Sequence, residues 1–304
     1  MTNRWHCPKE RDFVTLNKIA IFPNSEYDRE YQYTAQVVRV LSENGILSVL
    51  SSSAQPFFTD PSLSVQFFDE ADDMMEAADA ILVLGGDGTM IDYSVRAAEK
   101  DKPSVGVNLG HLGFLMALER TEIEKLALLA KGDFTVESRM LLDAQIILDG
   151  ETIHSQRILN DIVIASGVRS KIAEFSLLCT PAGRLDYRAD GIIVATPTGS
   201  TAYSFSAGGP IIDPTASIFS VMPVCPHSLL SRAILLSPET ELTVSGRTRD
   251  IHTTDIHITM DGKNSRLIPE NAEIHIKKSE YTAQIIKIGA SRFYDILETK
   301  LNKK

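Results

Sequence analysis

The chain has 304 residues, 43% of them apolar and 23% charged, the balance of a soluble globular protein with room for one large domain or two. Its formal net charge of −10 argues against a nucleic-acid or membrane-surface partner, since both demand a positive field. No apolar run reaches the span of a bilayer and Met1 to Phe13 is polar, so neither a membrane span nor a signal peptide is expected; Cys7, Cys179 and Cys225 suit a reducing cytoplasm and build neither a disulfide frame nor a zinc site.

In chain order, Lys18 to Phe22 reads as a short buried strand closed by Pro23-Asn24. The spacing of Tyr31, Ala35, Val38 and Leu41 predicts a helix from about Glu26 to Asn44, stopped by Gly45. Ile46 to Leu50 makes a second strand, and the polar, proline-containing stretch Ser51 to Pro61 reads as a loop able to move over a site. Ala80 to Leu84 is an unbroken apolar run, the mark of a strand buried on both faces of a parallel sheet. A helix to Lys100 and a buried strand from Ser104 to Asn108 follow, completing a βαβ alternation. The glycine-punctuated Asn108–Phe114 comes next, then a helix opened by a capping box of Thr121 and Glu124, lined by Ile123, Leu126, Ala127 and Ala130, and ended at Lys131-Gly132. From Thr135 the texture changes to short strands, among them Ala144–Leu148, Thr152–His154, Glu174–Cys179 and Ile192–Thr196, with hairpin turns at Asp149-Gly150 and Asp261-Gly262. Helical spacing returns only at Ser291–Leu301, where Phe293, Ile296, Leu297 and Leu301 share a side.

Three stretches carry chemistry. After the buried strand, Gly85-Gly86-Asp87-Gly88-Thr89 turns the chain into a helix start, which sets free backbone N–H groups where a phosphate can dock. Glycine suits such a turn because a Cβ would hold phosphate oxygens away. Asp87 cannot grip phosphate itself, so it either faces a metal ion or takes a proton from a nucleophile. An ordinary tight βα turn is the plain alternative. The second stretch, Asn160-Asp161 in Ile158–Ala165, puts two polar residues inside an apolar strand, where one must face the interior or a cleft and find partners. Ribose hydroxyls would serve, as would an Asx turn at a strand end. The third runs from Tyr187 to Pro210, through a buried strand into a loop of small hydroxyl residues around Tyr203 and then paired glycines, so densely small that something must pack closely on its backbone.

Gly-Gly-Asp-Gly-Thr alone resembles a signature shared by NAD kinases, diacylglycerol-type lipid kinases and, with a final serine, phosphofructokinases. Taken together, Gly85–Thr89, Asn108–Phe114, Asn160-Asp161, Asp190–Pro210 and the tail holding Phe293 resemble the ordered motifs of bacterial NAD kinases, from Lys18 to Leu301. The resemblance implies transfer of a phosphoryl group from ATP, another nucleoside triphosphate or polyphosphate to the 2′-hydroxyl of the adenosine ribose of NAD, making NADP, with Mg²⁺ as the divalent cation. It implies an α/β nucleotide-binding domain followed by a mostly-β, sandwich-like NAD-binding domain, consistent with the division read from the texture into 1–134, 135–288 and a helical segment (289–304) returning to the first domain. By position, Asp87 becomes the general base and faces the metal, beside Gly88. Asn160 and Asp161 hold ribose hydroxyls, although the family usually carries Glu where this chain has Asp161. Lys171 and Arg188 match basic substrate-contacting positions, and Asp190 the residue near the nicotinamide. Thr201, Ala202, Tyr203, Ser204, Phe205 and Ser206 line the dinucleotide pocket, and His227-Ser228 matches a subunit contact, implying a homotetramer; the cysteines place the expected enzyme in the cytoplasm. No residue set is assigned to a protein-built metal site, and no Walker A pattern occurs. A membrane-acting lipid kinase and a non-catalytic NADP-binding regulator remain as rival readings; the acidity counts against the first and the presence of Asp87 against the second.

Overall fold

The structure, a computed structural model, describes residues 16–167, 172–227, 232–248, 255–269, 271–289 and 293–302. The chain divides into two units, Met1–Glu137 with Gln284–Lys304, and Ser138–Ala283. Among the described residues no helix is long and apolar enough to cross a membrane.

The first unit is an α/β layer structure. Its parallel strands β1 (Lys18–Pro23), β2 (Leu47–Ser51), β3 (Val65–Phe68), β4 (Ala80–Gly85) and β5 (Ser104–Asn108) lie in the order β3-β2-β1-β4-β5. All six residues of β4 and all five of β5 are buried, as apolar runs covered on both faces must be. Helices α1 (Gln32–Glu43), α2 (Ala71–Ala77) and α3 (Asp87–Glu99) are the crossovers. The two-residue β6 (Leu118–Glu119) pairs with the end of β5, whose first residue Ser104 meets Ile285. Gly85 and Asn108 are paired residues at the carboxyl ends of β4 and β5, the edge where ligands of such sheets bind.

Three local expectations fail here for identifiable reasons. The helix expected from Glu26 begins only at Gln32, because Glu30 and Tyr31 take left-handed φ values of 54° and 58°. The buried Asp28 then caps the new start, accepting the N–H groups of Tyr33 (2.7 Å) and Thr34 (3.0 Å) and the Thr34 hydroxyl. Ser52–Phe57 is a 3₁₀ turn rather than a free loop, and β3 with α2 occupies a stretch where the sequence shows no clear periodicity. The capping box is Glu119 with Glu122, not Thr121 with Glu124: β6 ends at Glu119, whose N–H donates to Glu122. The turn it opens, Arg120–Leu126, is 3₁₀, and only α4 (Ala127–Ala130) is α-helical.

The second unit is a sandwich of antiparallel sheets. Its strands are β7 (Thr135–Leu148), β8 (Glu151–Ile158), β9 (Asp161–Ser166), β10 (Ala173–Thr180), β11 (Gly183–Ala189), β12 (Gly191–Ala195), β13 (Phe219–Val224), β14 (Ile234–Leu236), β15 (Glu241–Thr248), β16 (Ile256–Met260), β17 (Lys263–Leu267) and the long β18 (Glu273–Lys287). One sheet runs β14-β13-β12-β9-β16-β17; the other holds β11-β10-β15-β18, with β7 joining β18 to β8. Alternate residues of both, including Ile162, Ile164, Ile192, Val194, Phe175, Leu177, Val244 and Ile274, interdigitate in one core. Both expected hairpin turns form, with Asp149-Gly150 and Asp261-Gly262 in left-handed φ as a two-residue turn requires. The short helix α5 (Tyr203–Ser206) lies in the loop after β12. Helix α6 (Phe293–Asn302) belongs to the first unit, as expected of the tail; Ser291 and Arg292 lie outside the described residues.

The Asp28 cap yields a stability prediction. Asp28→Ala should lower unfolding free energy by about 1–2 kcal/mol, the usual cost of removing an N-cap oxygen, read as a shift of the urea midpoint at constant slope.

Candidate active site

In the first unit the site is built on the turn between β4 and α3. Gly86 is the N-cap of α3 in extended conformation, and Asp87 is the first helical residue. A Cβ built on Gly86 or Gly88 would meet nothing within 4 Å, so the turn opens on free space at the end of α3 whose first amides have no partner within the helix. Gly85 is needed for the opposite reason: a Cβ there would stand 2.9 Å from Thr89 Oγ1. The Thr89 hydroxyl is oriented in turn by Asn24, whose Nδ2 donates to it at 2.9 Å, leaving its own proton to point elsewhere.

Asp87 does not hang free at the tip. Its Oδ2 accepts the N–H of Phe114 at 2.8 Å and its Oδ1 that of Leu115 at 3.2 Å, which fixes both oxygens while leaving each a further lone pair. That approach is possible only because residue 113 is glycine; a Cβ there would lie 2.1 Å from Asp87 Oδ1. The receiving loop is itself anchored. The Phe114 ring stands 5.8 Å from Phe293 and 4.2 Å from the Lys300 ammonium, both on α6, and Lys287 Nζ donates to the Leu115 carbonyl at 3.2 Å.

In the second unit Asn160 and Asp161 do not stand inside a strand. They form the junction of β8 and β9, with Asp161 the first residue of β9. Asp161 is 3% exposed. Burial, reinforced by the charge of neighbouring Asp261 and partly offset by the Tyr203 N–H, pushes its carboxyl up to about 6. The close packing read from the small residues after β12 is supplied by the protein itself. Thr196 N–H donates to the Asn160 carbonyl and its hydroxyl to that of Leu159, while a Cβ on Gly199 would fall 2.0 Å from the Asn160 oxygen. The hydroxyls of Ser200 and Thr201 donate to the carbonyls of Pro197 and Thr198. Ser204 is fully buried against Gly209, where a Cβ would stand 2.4 Å from its Oγ.

Around that loop Tyr203 and Phe205 are 47% and 40% exposed, Ser206 is exposed, and Ala202 is half-buried. Arg188 is an exposed residue of β11 whose carbonyl accepts the His227 N–H. Asp190 links two strands, its N–H to Val224 and its carbonyl to Ser166. Lys171 and Ser228 lie outside the described residues.

The ATP-NAD kinase N-terminal domain family matches residues 19–133, and the ATP-NAD kinase C-terminal domain family residues 159–288. The chain belongs to the ATP-NAD kinase family. Among similar proteins, an NAD kinase of Thermoanaerobacter sp. (strain X514) is 36% identical over 296 residues, covering 95% of this chain and all of that protein. An NAD kinase of Clostridium perfringens is 34% identical over 292 residues, 95% of this chain and 99% of the relative. Among solved structures, yeast NADH kinase complexed with NADH superposes with a TM-score of 0.84 at 20% identity, over 96% of this chain and 90% of that one. An NAD kinase from Archaeoglobus fulgidus in complex with ATP gives 0.67 at 24% identity, over 92% and 97%. The match of both family domains decides against a lipid kinase, which would share the glycine turn alone, and the kinase is an enzyme that moves a phosphoryl group from ATP to NAD.

Two residues of the kinase escape a reading by motif. Gly113 lies in the glycine-punctuated stretch after β5, but its reason for being glycine is Asp87, 26 residues earlier in sequence. Asn24 follows the first strand, and only the fold brings it to Thr89.

Gly113→Ala should therefore act on turnover rather than on folding. Either the Asp87 carboxylate or the 113–115 loop must shift by about 1 Å, a misplacement that costs on the order of a hundredfold in rate. Expected are a kcat lower by about that factor and an unchanged far-UV circular dichroism spectrum; wild-type turnover would show that the loop gives way without moving the carboxylate.

Proposed function

We propose that Asp87 is the general base of this reaction and that the acceptor is the 2′-hydroxyl of the adenosine ribose of NAD. The observation that carries the assignment is a carboxylate held by two amides beside an open glycine turn at the ligand-binding edge of a parallel sheet. The hydroxyl oxygen forms the new bond to the γ-phosphorus, the bond from that phosphorus to the bridging oxygen of ADP breaks, and the hydroxyl proton passes to Asp87. Such a transfer needs the hydroxyl aligned more than ionised, so one fixed carboxylate suffices. The amides at the start of α3, with Gly88, receive phosphate oxygens, and Thr89 offers them a hydroxyl proton.

On this reading the first unit carries phosphoryl transfer and the second binds the dinucleotide. Asn160 and Asp161 hold ribose hydroxyls, with Asp161 ionised above a pH of about 6. The exposed faces of Tyr203 and Phe205 take flat bases, with Thr201, Ala202 and Ser206 around them. Ser204 serves through its backbone, since its side chain is buried. Arg188 meets a phosphate and Asp190 the nicotinamide end, and Lys171 is assigned a second basic contact from its position in the family pattern.

Mg²⁺ is the cation this donor chemistry suits. Among the described residues no three His, Cys, Asp or Glu side chains gather round one point. Mg²⁺ usually takes one or two carboxylates, several waters and substrate phosphates, and Asp87, with a lone pair left on each oxygen, is the residue that would hold it. When bound it neutralises charge developing on the transferred group.

Assays of NADP formation with ATP, other nucleoside triphosphates and polyphosphate, against NAD and NADH, test the reading directly. Activity should vanish on chelation and return with Mg²⁺. Asp87→Asn should keep NAD binding but lose at least about a hundredfold in turnover, as expected for loss of a general base. Near-normal kcat would reduce Asp87 to a residue that shapes the turn.

The assembly proposed is a cytoplasmic homotetramer in which a neighbour's Asp190 completes the nicotinamide end. The edge strand β17 is largely exposed and the edge strand β14 partly so, and such edges are commonly covered by association. Mixing inactive Asp87→Asn with inactive Asp190→Ala should restore part of the activity, because hybrids hold sites with both residues intact. Confirmed subunit exchange with no recovery would place each site within one chain.

A further inference from the structure

Asp261 sits at the tip of the β16–β17 hairpin, in a two-residue turn with Gly262 whose φ values are 50° and 70°. That side chain does not face solvent alone. Oδ2 accepts the N–H of Leu159 at 3.0 Å, and Oδ1 accepts those of Asn160 at 2.7 Å and Asp161 at 3.2 Å. The Asp261 N–H returns a bond to the Asp161 carbonyl at 2.9 Å. Three successive amides folded round one carboxylate impose a single backbone path on the junction between β8 and β9. On its other side the same junction is closed by Thr196 and by the backbone of Gly199.

We propose that Asp261 is the positioning residue of the ribose site: it touches no substrate, and it presents Asn160 and Asp161 by holding the amides of residues 159–161. The proposal rests on the reading that Asn160 and Asp161 hold ribose hydroxyls. It extends that reading to a residue about a hundred positions away, in a hairpin turn that turn chemistry alone would explain. Its charge has a second effect. The groups described as facing the Asp161 carboxyl are Asp261 on the hairpin and the Tyr203 N–H on α5. Asp261 thus adds to what burial already does, setting where Asp161 ionises and so where the acid limb of NAD binding falls.

The test uses the full chain with Asp161→Asn, Asp261→Asn and Asp261→Glu, measuring KM for NAD, KM for ATP, kcat and the pH dependence of kcat/KM for NAD. Asp261→Asn should raise KM for NAD about tenfold, with kcat and KM for ATP within about threefold of wild type. Its acid limb should move below the wild-type midpoint near 6, since a like charge has been removed while burial remains. Asp261→Glu keeps the charge but displaces the carboxylate by one methylene, so KM for NAD should rise while the limb stays in place. That variant carries the test if Asp261→Asn does not fold, and an unchanged KM in it would then overturn the proposal. If Asp161→Asn raises KM for NAD and Asp261→Asn does not, or raises it with the limb unmoved, Asp261 is only a hairpin residue. If Asp161→Asn leaves KM for NAD unchanged, the ribose reading fails and the proposal falls with it.

Discussion

The first unit depends on one close approach: the Asp87 carboxylate against the backbone of residues 113–115. A carboxylate at a helix N-terminus is favoured by the helix dipole but left to rotate. Two amides from the loop between β5 and β6 remove that freedom before any substrate arrives. Preorganisation of this kind is worth more to a reaction than an extra contact, because the cost of ordering the group is met during folding. The loop that receives Asp87 must then be held still, and Phe293, Lys300 and Lys287 do so from the last segments of the chain.

The same device recurs through both units. Asp28 gathers the amides of Tyr33 and Thr34, Asp79 those of Asn17 and Lys18, and Asp261 those of residues 159–161. Each carboxylate takes up backbone donors at a turn, a helix start or, for Asp79, a strand start, and each does so with bonds to a charged acceptor, stronger than neutral ones. The device also explains how Asp28 is accommodated away from water: its oxygens are taken up by backbone amides rather than by an ion pair. Among the described residues the pairs Arg96 with Asp72 and Arg184 with Asp186 are largely solvent-exposed and of small value, whereas Arg157 with Asp143 is mostly buried.

Legibility in the sequence followed the range of the interaction. β1, β4 and β5 could be read because an apolar run buried on both faces has no other stable place. β3 and α2 could not, since Val65–Phe68 is a half-exposed edge strand and Ala71–Ala77 spans only two turns. Glu30 and Tyr31 broke the first helix through left-handed φ values that nothing in their residue types announces. At the site, Asp87 and Asn160-Asp161 stood out as polar residues in apolar surroundings. The roles of Gly113, Asn24 and Asp261 are written in contacts with residues 26 to about a hundred positions away, and no local pattern encodes them. The small residues after β12 show the limit from the other side. Their density was legible, but what packs on them is the backbone of Asn160 and the hydroxyl of Ser204.

The division of the chain bears on the order in which it is made. The unit holding Asp87 is discontinuous, and its pairing at Ile285 and its packing at Phe293 come from residues beyond Ala283. During vectorial synthesis the segment up to Glu137 therefore emerges without its last strand and without the ring that anchors Phe114. The intervening Ser138–Ala283 is contiguous and has its own core, so it can close first. The Asp87 loop takes its final form only after the whole second unit has been translated, and a nascent chain arrested within that unit holds every residue of the glycine turn but not the residues that brace the loop Asp87 grips.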